Sequence, residues 1–358
     1  MSNDRFVDSM TSLERLTAFA QGQPYDRIPF NTMMGDHSAQ VIGAKVSDIH
    51  HSAIKLAEAQ IAAYKTYKLD FVGVSPGHTG VAEALGSKLE FPEYSTPFVK
   101  EFALDDITNL KNLEIPDPRK NGRFPLFLEA LEILIERVGN EAPVGVLIGG
   151  PFSTAYSLRG AENLLKDVYN NPEFLHELLD FCVESTIPFI QEVAKLGVGV
   201  GIVDPVSSGS LISREVFRTF SLPYLKKLIG EINKVSTPPV LHICGRTRKI
   251  IGDLADTGAG LLSLDNSVDL EEAKQEIGHK ITLLGNIRPA ETMYLGTTEM
   301  VEQNVRECLR KGYNSPRGYI LAMGCELPIK TPPANVHALS AAVRKYGQYP
   351  YRPELFAN

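Results

Sequence analysis

The chain has 358 residues, 43% of them hydrophobic and 22% charged, a profile that excludes extensive disorder and allows a sizeable core. A formal net charge of −7 excludes a surface built to track phosphates, so no nucleic-acid partner is expected. No run approaches the roughly 18 apolar residues of a membrane span, and Met1 to Arg15 lacks the order of a signal peptide; the expected location is the cytoplasm, with no membrane partner.

In chain order, a helix over Ser12–Ala20 stops at Gly22 and runs through a turn at Pro24 to Arg27, a lead-in expected to cap the floor of a barrel. Short apolar, β-branched runs then recur as parallel-strand candidates. They are Arg27–Met33, Asp70–Val74, Val144–Ile148, Val198–Val203, Pro239–Ile243, Gly260–Leu264, Ile281–Leu284 and Tyr319–Ala322. Helical patterns lie between most of them: Pro172–Val193, Arg214–Lys234, Thr247–Thr257, Leu270–Glu276 and Thr298–Lys311. A final amphipathic helix is expected over Pro333–Lys345. After the second strand, an insertion over about 79–142 holds a hairpin pattern at Lys88–Phe102 and a helix at Leu126–Val138. Eight strands alternating with helices predict an α/β fold: a closed (β/α)8 TIM barrel forming one domain over 1–358.

The active site of such a barrel is built at the carboxyl ends of its strands. Those ends carry His37, His78, Asp204, the pair His242 and Cys244, Asp265, Asn286 with Arg288, and Cys325. His242-Ile243-Cys244 has the period of a strand, so both side chains point one way and reach a single ion; Cys325 ends another strand. One nitrogen and two sulfurs suit zinc with an exchangeable fourth position. Asp265 is a candidate for that position and equally a cap for the segment near Val268. Two thiolate ligands weaken the power of zinc to acidify water, which favours activating a substrate thiol over hydrolysis.

Asp204 and Asn286 are candidates for orienting an acceptor, although Asp204 also suits a turn cap through Ser207 and Ser208. Arg288 is a candidate partner for an anionic group on a small thiol, and His37 and His78 are rim histidines that touch substrate or face water. Cys182 and Cys308 lie within helical patterns and read as small buried residues; four cysteines are too sparse for a disulfide framework. Gly149-Gly150-Pro151 is too short for a dinucleotide fingerprint.

Several segments together carry a family resemblance. Glu14-Arg15-Leu16 through Arg27-Ile28-Pro29, Gly150-Pro151-Phe152, and Gly285-Asn286 with Pro289 are three of them. The fourth is Gly324-Cys325-Glu326-Leu327-Pro328 followed by Thr331-Pro332-Pro333-Ala334-Asn335. Over nearly its whole length the chain resembles the uroporphyrinogen decarboxylase superfamily. The set His242, Cys244 and Cys325 is similar to the zinc site of its methylcobamide:coenzyme M methyltransferase branch. That resemblance implies a methyl group presented as methylcobamide by a methylated corrinoid protein and passed to a small thiol such as coenzyme M. The place of Asp265 is similar to that of an acidic zinc ligand in cobalamin-independent methionine synthase.

Decarboxylases of the superfamily use N-terminal arginines and an aspartate after an early strand. The segment Asn31 to His37 carries no arginine, and the segment Val74 to His78 lacks the expected aspartate. Three alternatives stay open: a decarboxylase-type lyase, a methyl donor:corrinoid protein methyltransferase, and a noncatalytic zinc-stabilised scaffold that binds a corrinoid protein.

Overall fold

The computed structural model describes residues 7–356. Eight parallel strands form one curled sheet: β1 (Phe30–Asn31), β2 (Val72–Gly77), β5 (Val144–Gly149), β6 (Gly199–Val203), β7 (Val240–Ile243), β8 (Leu261–Leu264), β9 (Thr282–Ile287) and β10 (Tyr319–Met323). Their order is β1-β10-β9-β8-β7-β6-β5-β2, the (β/α)8 arrangement expected from the strand pattern. Between β2 and β5 the insertion carries an antiparallel hairpin, β3 (Lys88–Glu90) with β4 (Phe98–Glu101), and the helix Phe124–Val138.

The expected closed ladder stops at one seam. Among the described residues no strand pairing joins β1 to β2, because β1 is only two residues long. Pro29 lacks an N–H, Met33 turns to φ +45°, and the stretch before Pro29 pairs with the C-terminal segment, Arg27 bridging to Gln348. Asp70 spans the seam instead: its carboxylate accepts the Phe30 N–H at 2.9 Å and the Arg27 guanidinium at 2.7 Å.

Register sorts the side chains into two layers. Leu284, Ile320 and Ala322 point into the barrel and pack with Val240 and Leu261, over Leu16 and Phe19 from the helix Ser12–Ala20. That helix is the predicted floor cap, started by Thr11 and Glu14 in reciprocal bonds of 3.1 and 2.8 Å. The alternate residues Ile202, Leu241, Ile243, Leu262 and Leu283 face the larger core beneath the helices. The predicted helix Arg214–Lys234 is interrupted by a wide turn over Phe217–Ser221 before Leu222–Val235, where Pro223 has no N–H to continue the ladder. Among the described residues no helix is long and apolar enough to cross a membrane.

Candidate metal centre

In register, Val203 pairs with His242 and His242 with Ser263, so all three face into the barrel. His242 Nδ1 lies 3.0 Å from Ser263 Oγ and 3.3 Å from its carbonyl oxygen. A carbonyl only accepts, so the ring proton sits on Nδ1 and Nε2 keeps its lone pair for the mouth. Nε2 is 3.1 Å from Cys244 Sγ, which is 3.4 Å from Cys325 Sγ. The three donor atoms lie within 4.8 Å of one another. His242 is buried, whereas both cysteines remain partly open to solvent.

The two sulfurs lie within hydrogen-bonding distance of each other. The hydrogen bond from Cys244 holds the Cys325 thiol well below its ordinary range against the opposing effect of burial. The bond to Cys325, burial, and the charges of Cys325, Asp265 and Glu326 push Cys244 far above the ordinary thiol range. One nitrogen and two sulfurs this close together fit zinc, with a position left for a further ligand.

The other candidates are placed differently. Asp265 lies outside the compact donor group, and both its oxygens are engaged: Oδ2 accepts from the Gly245 N–H and Oδ1 from the Ser267 N–H, each at 2.7 Å. It braces the turn that follows Cys244 and also makes the local cap. Asp204, one residue beyond inward-facing Val203, faces the helices. Its Oδ1 accepts the Ser153 N–H at 2.8 Å at the start of the helix Pro151–Arg159, and Oδ2 has no partner. Burial pushes this carboxyl up to about 6 against the hydrogen bonds from Ser153. A Cβ on Gly150 would lie 2.5 Å from Asp204 Cγ, so only glycine leaves room for it.

Asn286 donates to the carbonyls of Asp265 and Val268 at 3.1 and 2.7 Å, tying the end of β9 to the loop after β8. Arg288 pairs with Glu307 at 3.2 Å on a cavity of about 210 Å³ against the helix Thr298–Gly312. None of His242, Cys244 and Cys325 lines that cavity. His37 is fully buried between the Ile329 carbonyl (2.9 Å) and the Tyr67 hydroxyl (3.2 Å). Burial lowers the His78 pKa, and its ring makes no hydrogen bond among the described residues.

Two carboxylates not among the sequence candidates lie in the turns after β10 and β1. Glu326 follows Cys325 and reaches across to the Gly35-Asp36 turn after β1, where Asp36 N–H meets Oε1 at 3.4 Å. Glu326 is exposed, and the protein crowded around its carboxyl, then the charge of Asp36, raise its pKa. Asp36 in turn accepts from His50 Nε2 at 2.8 Å, and Arg123 donates to His50 Nδ1 at 2.8 Å while holding Glu83 at 2.9 Å. The Gly324-Cys325-Glu326 motif and the rim position of Asp36 were the available signals; nothing local links His50 to Arg123.

The family model described as Uroporphyrinogen decarboxylase (URO-D) matches residues 11–346. The chain is 29% identical to a methylcobamide:CoM methyltransferase, MtbA, of Methanosarcina mazei, over 94% of this chain and 98% of that protein. It is also 29% identical to MtaA, another methylcobamide:CoM methyltransferase, of Methanosarcina barkeri, over 95% and 99%. Among solved structures, a methyltransferase from Methanosarcina mazei superposes with a TM-score of 0.86 at 28% identity, covering 94% of this chain and 99% of that one.

Proposed function

Since this chain belongs to the uroporphyrinogen decarboxylase family, we propose that it is a zinc-dependent methyltransferase that takes a methyl group from a methylated corrinoid protein and gives it to a thiol. The observation that carries this reading is the convergence of His242, Cys244 and Cys325 at the mouth of the barrel. Its similarity to methylcobamide:CoM methyltransferases over nearly full length supports the same chemistry.

When bound, zinc would hold the acceptor sulfur as a nucleophilic thiolate at neutral pH. The protein's own contribution is placement. Ser263 fixes the His242 tautomer, and Asp265 fixes the Gly245 turn that carries Cys244. His242, Cys244 and Cys325 would hold the zinc and leave a position for the acceptor thiol, to which the partner's methylated corrinoid would supply the methyl group. Asp204 and Asn286 contribute by holding the ends of β6 and β9 in place. Asp265 is close enough for its charge to act on Cys244, and it can serve as the displaceable fourth ligand only by releasing Gly245.

The test is methyl transfer from methylcobalamin to mercaptoethanol by the zinc-loaded protein, compared with Cys325→Ser. A loss of at least about a thousandfold in the variant is expected, since removing a metal ligand removes the nucleophile's activation. Equal rates in the two proteins would dismiss the reading.

A further inference from the structure

The loop that carries Cys325 has little of its own to hold it. From Gly324 to Pro332 the chain runs outside any strand or helix, and Pro328 and Pro332 have no N–H to give. Its first residues are pinned by backbone: the Gly324 N–H donates to the Ile287 carbonyl at 2.8 Å and the Leu327 N–H to the Met33 carbonyl at 3.1 Å. Its far half turns back on itself, the Thr331 N–H donating to the Pro328 carbonyl at 2.9 Å. A side chain from another segment ties that turn down: His37 Nδ1 lies 2.9 Å from the Ile329 carbonyl oxygen.

His37 is fully buried, and each of its ring nitrogens has a partner. A carbonyl only accepts, so the proton is on Nδ1, and Nε2 accepts from the Tyr67 hydroxyl at 3.2 Å. Were filling space the whole task, an apolar ring would do it without the cost of burying two polar atoms. The turn that carries His37 is itself anchored. Ser38 Oγ and Gln60 Nε2 both donate to the Gly35 carbonyl, at 2.9 and 3.3 Å, and Gln60 and Tyr67 belong to one helix, Ala53–Tyr67. A continuous path therefore runs from that helix through His37 to Ile329, in the same loop as Cys325.

We infer that His37 is a positioning residue for the metal centre: the bond from its Nδ1–H to the Ile329 carbonyl sets the loop that brings Cys325 to His242 and Cys244. This inference rests on the zinc reading above and adds to it a side chain that touches neither the metal ligands nor the thiol. His242 and Cys244 leave β7 together, whereas Cys325 follows β10, on the far side of β8 and β9. Its approach to 3.4 Å from the Cys244 sulfur depends on how its loop is held.

Two amides divide the duties of the ring. Asn places its side-chain nitrogen near the Nδ1 position and Gln reaches the Nε2 position, so His37→Asn keeps a donor for Ile329 and His37→Gln keeps a partner for Tyr67. Tyr67→Phe removes that hydroxyl and leaves the Ile329 bond in place. Three quantities are measured on wild type and the three variants: zinc Kd by competition with a chelator, the thiolate-to-cobalt absorption of the cobalt-substituted chain, and denaturant unfolding of the metal-free protein. His37→Gln is expected to weaken zinc binding at least about fivefold and to alter the cobalt spectrum, whereas His37→Asn and Tyr67→Phe keep both within about twofold of wild type. Unchanged metal binding in His37→Gln, or weakened binding in His37→Asn or Tyr67→Phe in step with lost stability, overturns the inference and leaves the zinc site standing. If His37→Gln does not fold, His37→Phe, which keeps a ring and loses the donor, takes its place with the same expectation. A wild-type chain that takes up no zinc removes the zinc reading and this inference with it.

Discussion

The two ends of the barrel handle buried charge in opposite ways. At the floor, Arg15 and Arg27 are fully buried and fully matched: Arg15 binds Asp26 at 2.6 Å and Asp70 at 2.7 Å, and Arg27 binds Asp8 at 2.8 Å and Asp70 at 2.7 Å. Arg344 closes the cluster on Asp8 at 2.8 Å, so three arginines meet three aspartates. At the mouth, the metal-binding groups His242, Cys244 and Cys325 stand together, while Arg123 and Arg288 are held by Glu83 and Glu307. Matched buried charges lock the fold, whereas a compact set of nitrogen and sulfur donors suits a metal ion. The floor is therefore read as structure and the mouth as a binding site.

The largest effect that sharpens this contrast is expected at the floor. Asp70→Asn leaves two buried guanidiniums short of a partner and weakens the seam between β1 and β2. A loss of about 3–5 kcal/mol in denaturant unfolding is expected, with zinc per native chain unchanged. A loss below about 1 kcal/mol would show that the cluster is dispensable.

At the mouth, Ser263→Ala frees the His242 ring from its orienting hydroxyl. Competition with a chelator should show zinc affinity weakened by about 10- to 100-fold, the usual cost of losing such a partner, with unfolding of the metal-free protein little changed. An equal drop in metal-free stability would make Ser263 a floor-like residue and blur the distinction.

The smallest effect is in acid. Burial works to raise the Asp8 carboxyl, but the Arg27 hydrogen bond and the charges of Arg27, Arg344 and Arg15 outweigh it and hold it at about 2, against an ordinary value of 3.8. A depressed carboxyl stabilises the fold above the unfolded value, and that contribution drains away as pH falls from 3.8 through about 2. Asp8→Asn should flatten the acid limb of a stability profile in this window. A profile that kept its slope would assign acid unfolding to another group.

The strands were legible because apolar, β-branched runs ending in Gly, Asp or Asn are a local signal, and all eight were in place. The truncation of β1 was not, since it depends on the C-terminal segment taking Arg27 and on the turn at Met33. His242 and Cys244 declared themselves by their period of two, and Cys325 by its place after a strand. Asp204 required knowing that Val203 is in register with inward-facing His242, which puts the next residue on the helix side. Arg288 required the rotation of the helix Thr298–Gly312, because Glu307 reaches it from the inner face of that helix. Glu326 was visible only as part of a motif; its partner Asp36 lies 290 residues earlier, brought close by the meeting of β10 with β1.

The proposed activity requires that the mouth hold zinc and offer it to a thiol. Zinc content and the zinc X-ray absorption edge of the purified protein, recorded with and without mercaptoethanol, test it most directly. About one zinc per chain, bound by nitrogen and two sulfurs with a third sulfur appearing on addition of the thiol, is the predicted result. Metal-free protein from zinc-replete cells, or a spectrum that the thiol leaves unchanged, would contradict it.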